Sequence, residues 1–379
     1  MDFAFTEEQE ELRATARDFL VAHSSSEQVR TAMQSELGYD PQVWKQIGAE
    51  LGWPSVIIPE EFGGLGLGYV ELIALLELTG SALLCAPFFS SVCLAANALL
   101  VGGSKEQKKE YLPGIAEGQT RATLAFTEAN GRWDASGIEA SARREGGDYV
   151  LSGKKSFVLD GHCADLLVVA ARREGTTGEA GISLFALPAA ARGVERRALP
   201  TMDQTRRLAE IELRDVRVPG SALMGQEGEG WGALSKTLSL AAIALSAEQV
   251  GGAQRCLDMS VEYAKQRVQF GRPIGSFQAI KHKCADMLVQ VESARSASYY
   301  AGCVAAEDGV ELPLLASLAK AYCSDAYFDC AANAIQIHGG VGFTWEYDVH
   351  LYFKRAKSSE SFLGDGAYHR EQVARGIGL

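Results

Sequence analysis

The sequence predicts a mostly α protein with a β-domain at its centre, and three observations predict it. Residues 1–120 carry apolar side chains at helical spacing. Residues 121–225 break into short β-branched runs separated by turn residues. Residues 226–379 return to long helical patterns with no strand run of comparable strength. The three segments are read as three domains with those boundaries.

Each element has a local cause. Thr6 and Gln9 have capping-box spacing, and Leu12, Ala16, Phe19 and Leu20 then form one stripe of a helix. Asp40-Pro41 is a cap followed by proline at the first helical position, opening a helix that carries Val43, Trp44 and Ile47. The glycine-rich stretch 59–68 is too apolar for a nucleoside-triphosphate loop, and no Gly-Lys-Ser/Thr follows it. Helices are predicted over 69–84, 88–100 and 105–112. Strands are predicted at 122–126, 149–151, 156–159, 166–170, 182–186, 210–213 and 215–219, with turns at Gly146-Gly147-Asp148 and Ser152-Gly153.

Bulk properties narrow the class. Apolar residues make up 47% and charged residues 22%, as in an ordinary globular protein. A formal charge of −12 argues against nucleic acid or an anionic membrane as a general partner. No apolar run is long enough to span a bilayer, and the acidic opening Met1-Asp-Phe-Ala-Phe lacks the features of a signal peptide. The expected location is the cytoplasm, where eight scattered cysteines without a CxxC pair read as buried free thiols. His282, His338, His350 and His369 show no metal-ligand spacing, so no metal is expected.

Two segments carry the functional signal. Arg267-Val-Gln-Phe-Gly-Arg-Pro-Ile-Gly-Ser-Phe-Gln278 sets a guanidinium, an amide and an aromatic ring beside a glycine turn. Gln336-Ile-His-Gly-Gly-Val-Gly-Phe343 adds a side-chain amide and bare backbone N–H groups at Gly339 and Gly340. Such groups suit a pyrophosphate and a purine.

Together and in this order, the two segments resemble the acyl-CoA dehydrogenase family of flavoproteins, as does the helical–β–helical order of essentially the whole chain. The resemblance implies an N-terminal helical domain, a β-barrel-like middle domain and a C-terminal four-helix bundle. It implies FAD shared across a subunit interface, with Arg267, Gln269, Phe270, Gln278, Gln336, Gly339 and Gly340 holding the pyrophosphate and adenine of the neighbouring subunit's cofactor. An acyl-CoA substrate and electron-transfer flavoprotein, or a similar acceptor, are implied with it.

The flavin-facing half departs from the family pattern. Thr127, Glu128 and Asp134 are retained, but Arg132 and Trp133 stand where Gly and Ser are expected, filling space that needs bare backbone. Phe157 keeps an aromatic ring for the flavin, whereas Leu159 replaces a Thr whose hydroxyl would meet N5. The reaction needs a carboxylate base for the α-proton. Its usual position is Leu363, and the alternative position used by some members is Ala241. Glu248, two helical turns beyond Ala241, and Asp365, two residues past Leu363, are the weak stand-ins. Each reads more readily as a capping or solvated residue, as does Glu360.

The pattern implies a subunit of a heteromeric (α2β2) enzyme desaturating an acyl-CoA at the α,β bond, paired with a paralogous acyl-CoA dehydrogenase subunit that supplies the base. The motifs resemble the bacterial branch acting on steroid side-chain CoA thioesters. The alternative is a self-sufficient homo-oligomer using Glu248 or Asp365, and a third possibility is a scaffold subunit without redox chemistry.

Overall fold

The computed structural model describes residues 6–379; Met1–Phe5, the start of the acidic opening expected not to be a signal peptide, lies outside them. Backbone contacts divide the chain into two units, each discontinuous in sequence.

The first unit comprises Met1–Thr31, Tyr69–Leu84 and Ala242–Leu379. Its early helices are α1 (Glu7–His23) and the start of α2 (Ser26–Gln34). The expected Thr6–Gln9 capping box forms, and Ala16 and Leu20 are the buried stripe of α1. In the second unit, Ala32–Gly68 and Cys85–Ala241, α3 (Pro41–Ala49) starts on the Asp40 cap with Pro41 at its first position. The next helix, α4 (Tyr69–Ser81), belongs to the first unit and has no exposed residue. The predicted helix over 88–100 is divided: residues 89–96 form a π-helical stretch, then α5 runs from Asn97 to Gly102. A Ser104–Gln107 capping box opens α6 (Lys105–Ala116).

The β-domain is an eight-stranded sheet of β1 (Ala122–Ala125), β2 (Ser141–Glu145), β3 (Asp148–Leu159), β4 (Leu166–Arg172), β5 (Ile182–Pro188), β6 (Val194–Ala198), β7 (Leu208–Pro219) and β8 (Leu223–Met224). The order is β6-β7-β3-β2-β4-β5-β8, with β1 parallel to β4. Its core is Leu151, Val158, Leu167, Val169, Phe185 and Ile211, from alternating positions along the strands. The turn expected at Ser152-Gly153 is absent. β3 runs through it, and the irregular residues are absorbed as a register shift against β7 between Leu151 and Gly153. Likewise the expected strands 210–213 and 215–219 are one strand, β7.

The long helix α7 (Trp231–Gln266) leads to a short hairpin, β9 (Val268–Gln269) and β10 (Arg272–Pro273). Then follow α8 (Gln278–Ala306), α9 (Leu312–His338), α10 (Val349–Ser361) and α11 (Gly366–Gly376). α9 is the central member, packed by α8, α10 and α11. Glycines let α4 approach α7 closely: a Cβ at Gly80 would lie 2.0 Å from the Glu248 carbonyl oxygen, and one at Gly251 would lie 1.7 Å from that of Glu77. Among the described residues no helix is long and apolar enough to cross a membrane.

Candidate functional site

The first unit brings its two motifs together through a cluster of rings, of which the second motif itself contributes His338 and the other two lie outside both motifs. Tyr263, in the last turn of α7, stacks on His338 at the end of α9, with ring centroids 4.3 Å apart and planes 24° apart. Tyr347 meets both rings edge-on, at 6.1 Å and 5.9 Å. His338 is fixed by a 2.8 Å bond between Nδ1 and the Ala334 carbonyl. Burial lowers its pKa, so the ring is neutral at pH 7.

From this anchor the hairpin projects into solvent. Its turn residues Phe270 and Gly271 both have positive φ, 52° and 77°, as a two-residue hairpin turn demands. For phenylalanine that conformation is strained, and the ring it holds out is 91% exposed. Phe277 lies edge-on to it at 6.1 Å. Arg267 is exposed, and among the described residues no carboxylate pairs with it. Gln269 turns its amide back to the Val268 carbonyl, and Gln278 begins α8. Gln336, Gly339 and Gly340 are exposed at the end of α9. Gly339 needs to be glycine, at φ 65° and ψ −142°. Gly340 does not: its φ is ordinary, and a Cβ there would meet nothing within 4 Å. Its bareness serves a neighbour outside the chain or none at all. Exposed cation, exposed ring and open backbone are chemically suited to a dinucleotide tail presented from outside.

The residues expected to face the flavin are in the second unit. Thr127 is buried and clamped to β3: its Oγ1 donates to the Ser156 carbonyl at 2.7 Å, and the Ser156 N–H donates to the Thr127 carbonyl at 2.9 Å. Glu128 accepts from the N–H groups of Glu139 and Ala140 and from Lys155 Nζ at 2.6 Å. This is a buried ion pair that organises the loop. Arg172, unremarked in the sequence, donates to the carbonyls of Ala135, Ile138, Gly178 and Ala180, so it fixes the same loop from the other side. Within the loop Trp133 packs against Phe126 at 5.7 Å, and Asp134 caps the short turn at Ala135–Gly137. The Leu159 side chain is 2% exposed, packed into the domain. Phe157 has the opposite disposition: at φ 59° in a register shift of β3, its ring is 46% exposed.

Of the expected base positions, Leu363 lies in the first unit, whereas Ala241, in the N-terminal third of α7, is the last residue of the second. Leu363 is 4% exposed at φ 64°. His369 Nε2 lies 3.0 Å from its carbonyl oxygen, and the fully buried Lys320 donates to the Gly364 carbonyl at 3.1 Å. Ala241 is buried on α7. Glu248 is buried and ion-paired with the equally buried Arg355. Asp365 caps α11, accepting from the Tyr368 N–H at 2.8 Å, and Glu360 pairs with Lys357 at 2.7 Å. Each of the three candidate carboxylates is therefore engaged. Among the described residues no group of His, Cys, Asp and Glu is arranged to hold a metal ion.

Comparison with known proteins shows which family the chain falls in. Family models for the acyl-CoA dehydrogenase N-terminal, middle and C-terminal domains match residues 6–119, 123–216 and 228–378. The chain is 37% identical to "Acyl-CoA dehydrogenase IpdE2" of Mycolicibacterium smegmatis, over 98% of both chains. A solved variant of the Tcur3481-Tcur3483 steroid ACAD superposes with a TM-score of 0.88 at 30% identity, over 98% of each chain. The ChsE4-ChsE5 complex from Mycobacterium tuberculosis superposes with a TM-score of 0.89 at 29% identity, covering 100% of this chain and 99% of that one. The chain belongs to the acyl-CoA dehydrogenase family, FAD-dependent oxidoreductases that act on the CH–CH bond of acyl-CoA thioesters.

Proposed function

We propose that this chain is the base-less subunit of a heteromeric acyl-CoA dehydrogenase, completing the adenine and pyrophosphate side of a paralogous partner's FAD site. The observation that carries this is the division of the chemistry. Arg267, Phe270 and Gly340 are exposed, and among the described residues no carboxylate pairs with Arg267, while Leu363 and Ala241 are apolar and Glu248 and Asp365 are engaged in structure. Bound flavin supplies the hydride acceptor of the family's reaction. In this chain Arg267 would pair with the pyrophosphate, Gly339 and Gly340 would let it approach, and Phe270, Gln269, Gln278 and Gln336 would meet the purine and ribose end. The partner supplies the carboxylate. The two-component neighbours support a paralogous partner, and the steroid ACAD among them supports a bulky steroid side-chain CoA thioester as substrate. An electron-transfer flavoprotein is the acceptor consistent with the family.

Flavin content tests the reading. The chain expressed alone should be colourless, and co-expression with the paralogous subunit should give one FAD per two chains. One FAD per chain with dye reduction by acyl-CoA from this polypeptide alone would overturn it. The homo-oligomeric reading keeps one observation in its favour, the strained bulge that leaves the Phe157 ring half-exposed and free to stack on a flavin. That reading requires Glu248 or Asp365 to leave its present partner.

A further inference from the structure

A cavity of about 540 Å³ opens within the first unit, among α1, α2, the end of α4, α7 and α10. None of the residues assigned to the flavin or the base lines it, and its chemistry is independent of that assignment.

Its walls have two characters. Leu20, Val29, Leu78 and Leu351 supply an apolar side. Arg17, on α1, and Arg255, on α7, supply guanidiniums, and among the described residues neither is within ion-pair distance of a carboxylate. Two aspartates also line it. Asp348 is compensated by Arg30 at 2.6 Å, a residue outside the lining. Asp258 accepts from the amide of Gln254 at 2.8 Å, and among the described residues no cation pairs with it. Two guanidiniums against one uncompensated carboxylate leave the cavity with one net positive charge.

The backbone groups at its rim are already satisfied. Ser24 Oγ donates to the Ala82 carbonyl at 3.0 Å, and the Tyr352 hydroxyl, beside Arg255, donates to the Ser81 carbonyl at 2.6 Å. The guanidiniums are thus the charged donors left over. Leu83 adds an independent observation. It follows the end of α4 in the left-handed conformation, φ 49°, where helices ordinarily place glycine. The strain holds a leucine side chain in the cavity wall. A volume of this size accommodates a small organic ligand, and an apolar wall with a few convergent polar groups is the usual make-up of such a site.

We propose that this cavity binds an amphipathic monocarboxylate, its carboxylate on Arg17 and Arg255 and its apolar body against Leu20, Leu78, Leu83 and Leu351. Guanidiniums recognise carboxylates through paired, charge-assisted hydrogen bonds. The single net charge selects a monoanion over the polyanionic CoA moiety.

Isothermal titration of the full chain with octanoate and with cholate tests this and separates a straight-chain from a fused-ring body. At least one should bind saturably. The Arg17→Ala/Arg255→Ala variant, both residues being exposed, should bind about tenfold more weakly or worse, as expected for loss of hydrogen bonds from charged groups. Octanol should likewise bind at least about tenfold more weakly than octanoate. A second variant, Val21→Trp, places a large side chain at an exposed lining position and should abolish binding with the arginines intact. Octanol binding as tightly as octanoate, unchanged affinity in both variants, or no binding of either acid would each overturn the proposal.

Discussion

Tyr263 and His338 lie face to face, ring centroids 4.3 Å apart, although 75 residues separate them in the chain. The contact joins the helix that leads into Arg267 to the helix that leads into Gly339. Two segments that are unremarkable apart therefore share one surface, and the spacing between guanidinium and open backbone is set by a ring stack.

Truncating that stack should loosen the surface without touching any contact atom. An aromatic pair contributes about 0.5–1.5 kcal/mol beyond its burial. Tyr263→Ala should therefore weaken FAD binding by the co-expressed complex by roughly 2- to 10-fold. Tyr263→Phe, which keeps the ring, should stay close to wild type. Flavin release followed by fluorescence during dilution measures both.

Glu248 and Arg355 form a buried pair, so removing one partner strands a charge. Glu248→Ala should cost about 3–5 kcal/mol of stability, whereas Glu248→Leu with Arg355→Met should cost far less, because neither charge is then left alone. Urea denaturation gives both numbers. In the assembled enzyme, the folded fraction of the double variant should keep its turnover rate. A loss of orders of magnitude in kcat at unchanged flavin content would instead make Glu248 a base.

Local chemistry was legible in the sequence; long-range supports were not. The Thr6, Asp40 and Asp365 caps depend on residues two or three positions away, and each behaves as a capping residue. The glycine turn beside Phe270 is equally local, but the two-stranded hairpin it closes is not among the expected strands, and the base position at Leu363 rests on the family resemblance. Gly153 misled, because glycine after serine reads as a turn. Its actual cause is a neighbour just before β2: at φ 142°, a Cβ there would sit 2.7 Å from Ala140. Tyr263, Arg172 and Lys320 carried no signal, since their roles exist only once distant carbonyls or rings are brought to them.

Lys320 makes stability depend on pH in an unusual direction. It is fully buried, and its ammonium donates to Ser324 Oγ and to the Glu360 and Gly364 carbonyls at 2.8, 3.2 and 3.1 Å, with no carboxylate among these partners. Burial pulls its pKa from 10.5 down to about 8. Below pH 8 both folded and unfolded chains carry the proton, and the folded state bears the full cost of the buried charge. Between about 8 and 10.5 the folded chain sheds the proton first, the unfolded chain binds more protons, and stability rises with pH by up to about 3 kcal/mol. Lys320→Met should lack this rise. Melting curves from pH 7 to 10.5, compared as the difference between wild type and variant, isolate it.

Restoring the base should not by itself restore activity. If the base alone were lacking, Leu363→Glu would produce an active chain. The loop is already pinned by His369 and Lys320, and only a side chain changes. The half expected to face the flavin argues otherwise: Trp133 is packed on Phe126, and Leu159, where the family resemblance implies a hydroxyl, is buried. Leu363→Glu by itself should therefore yield a chain that still purifies without flavin and shows no dehydrogenase activity. Adding Arg132→Gly, Trp133→Ser and Leu159→Thr should reopen the loop and return a donor to β3. The fourfold variant should then bind FAD at close to one per chain in a homo-oligomer, read by flavin absorbance against protein concentration. Flavin uptake by the single variant would show that the acceptor half was never closed. Activity in that single variant would move the whole deficit to one residue.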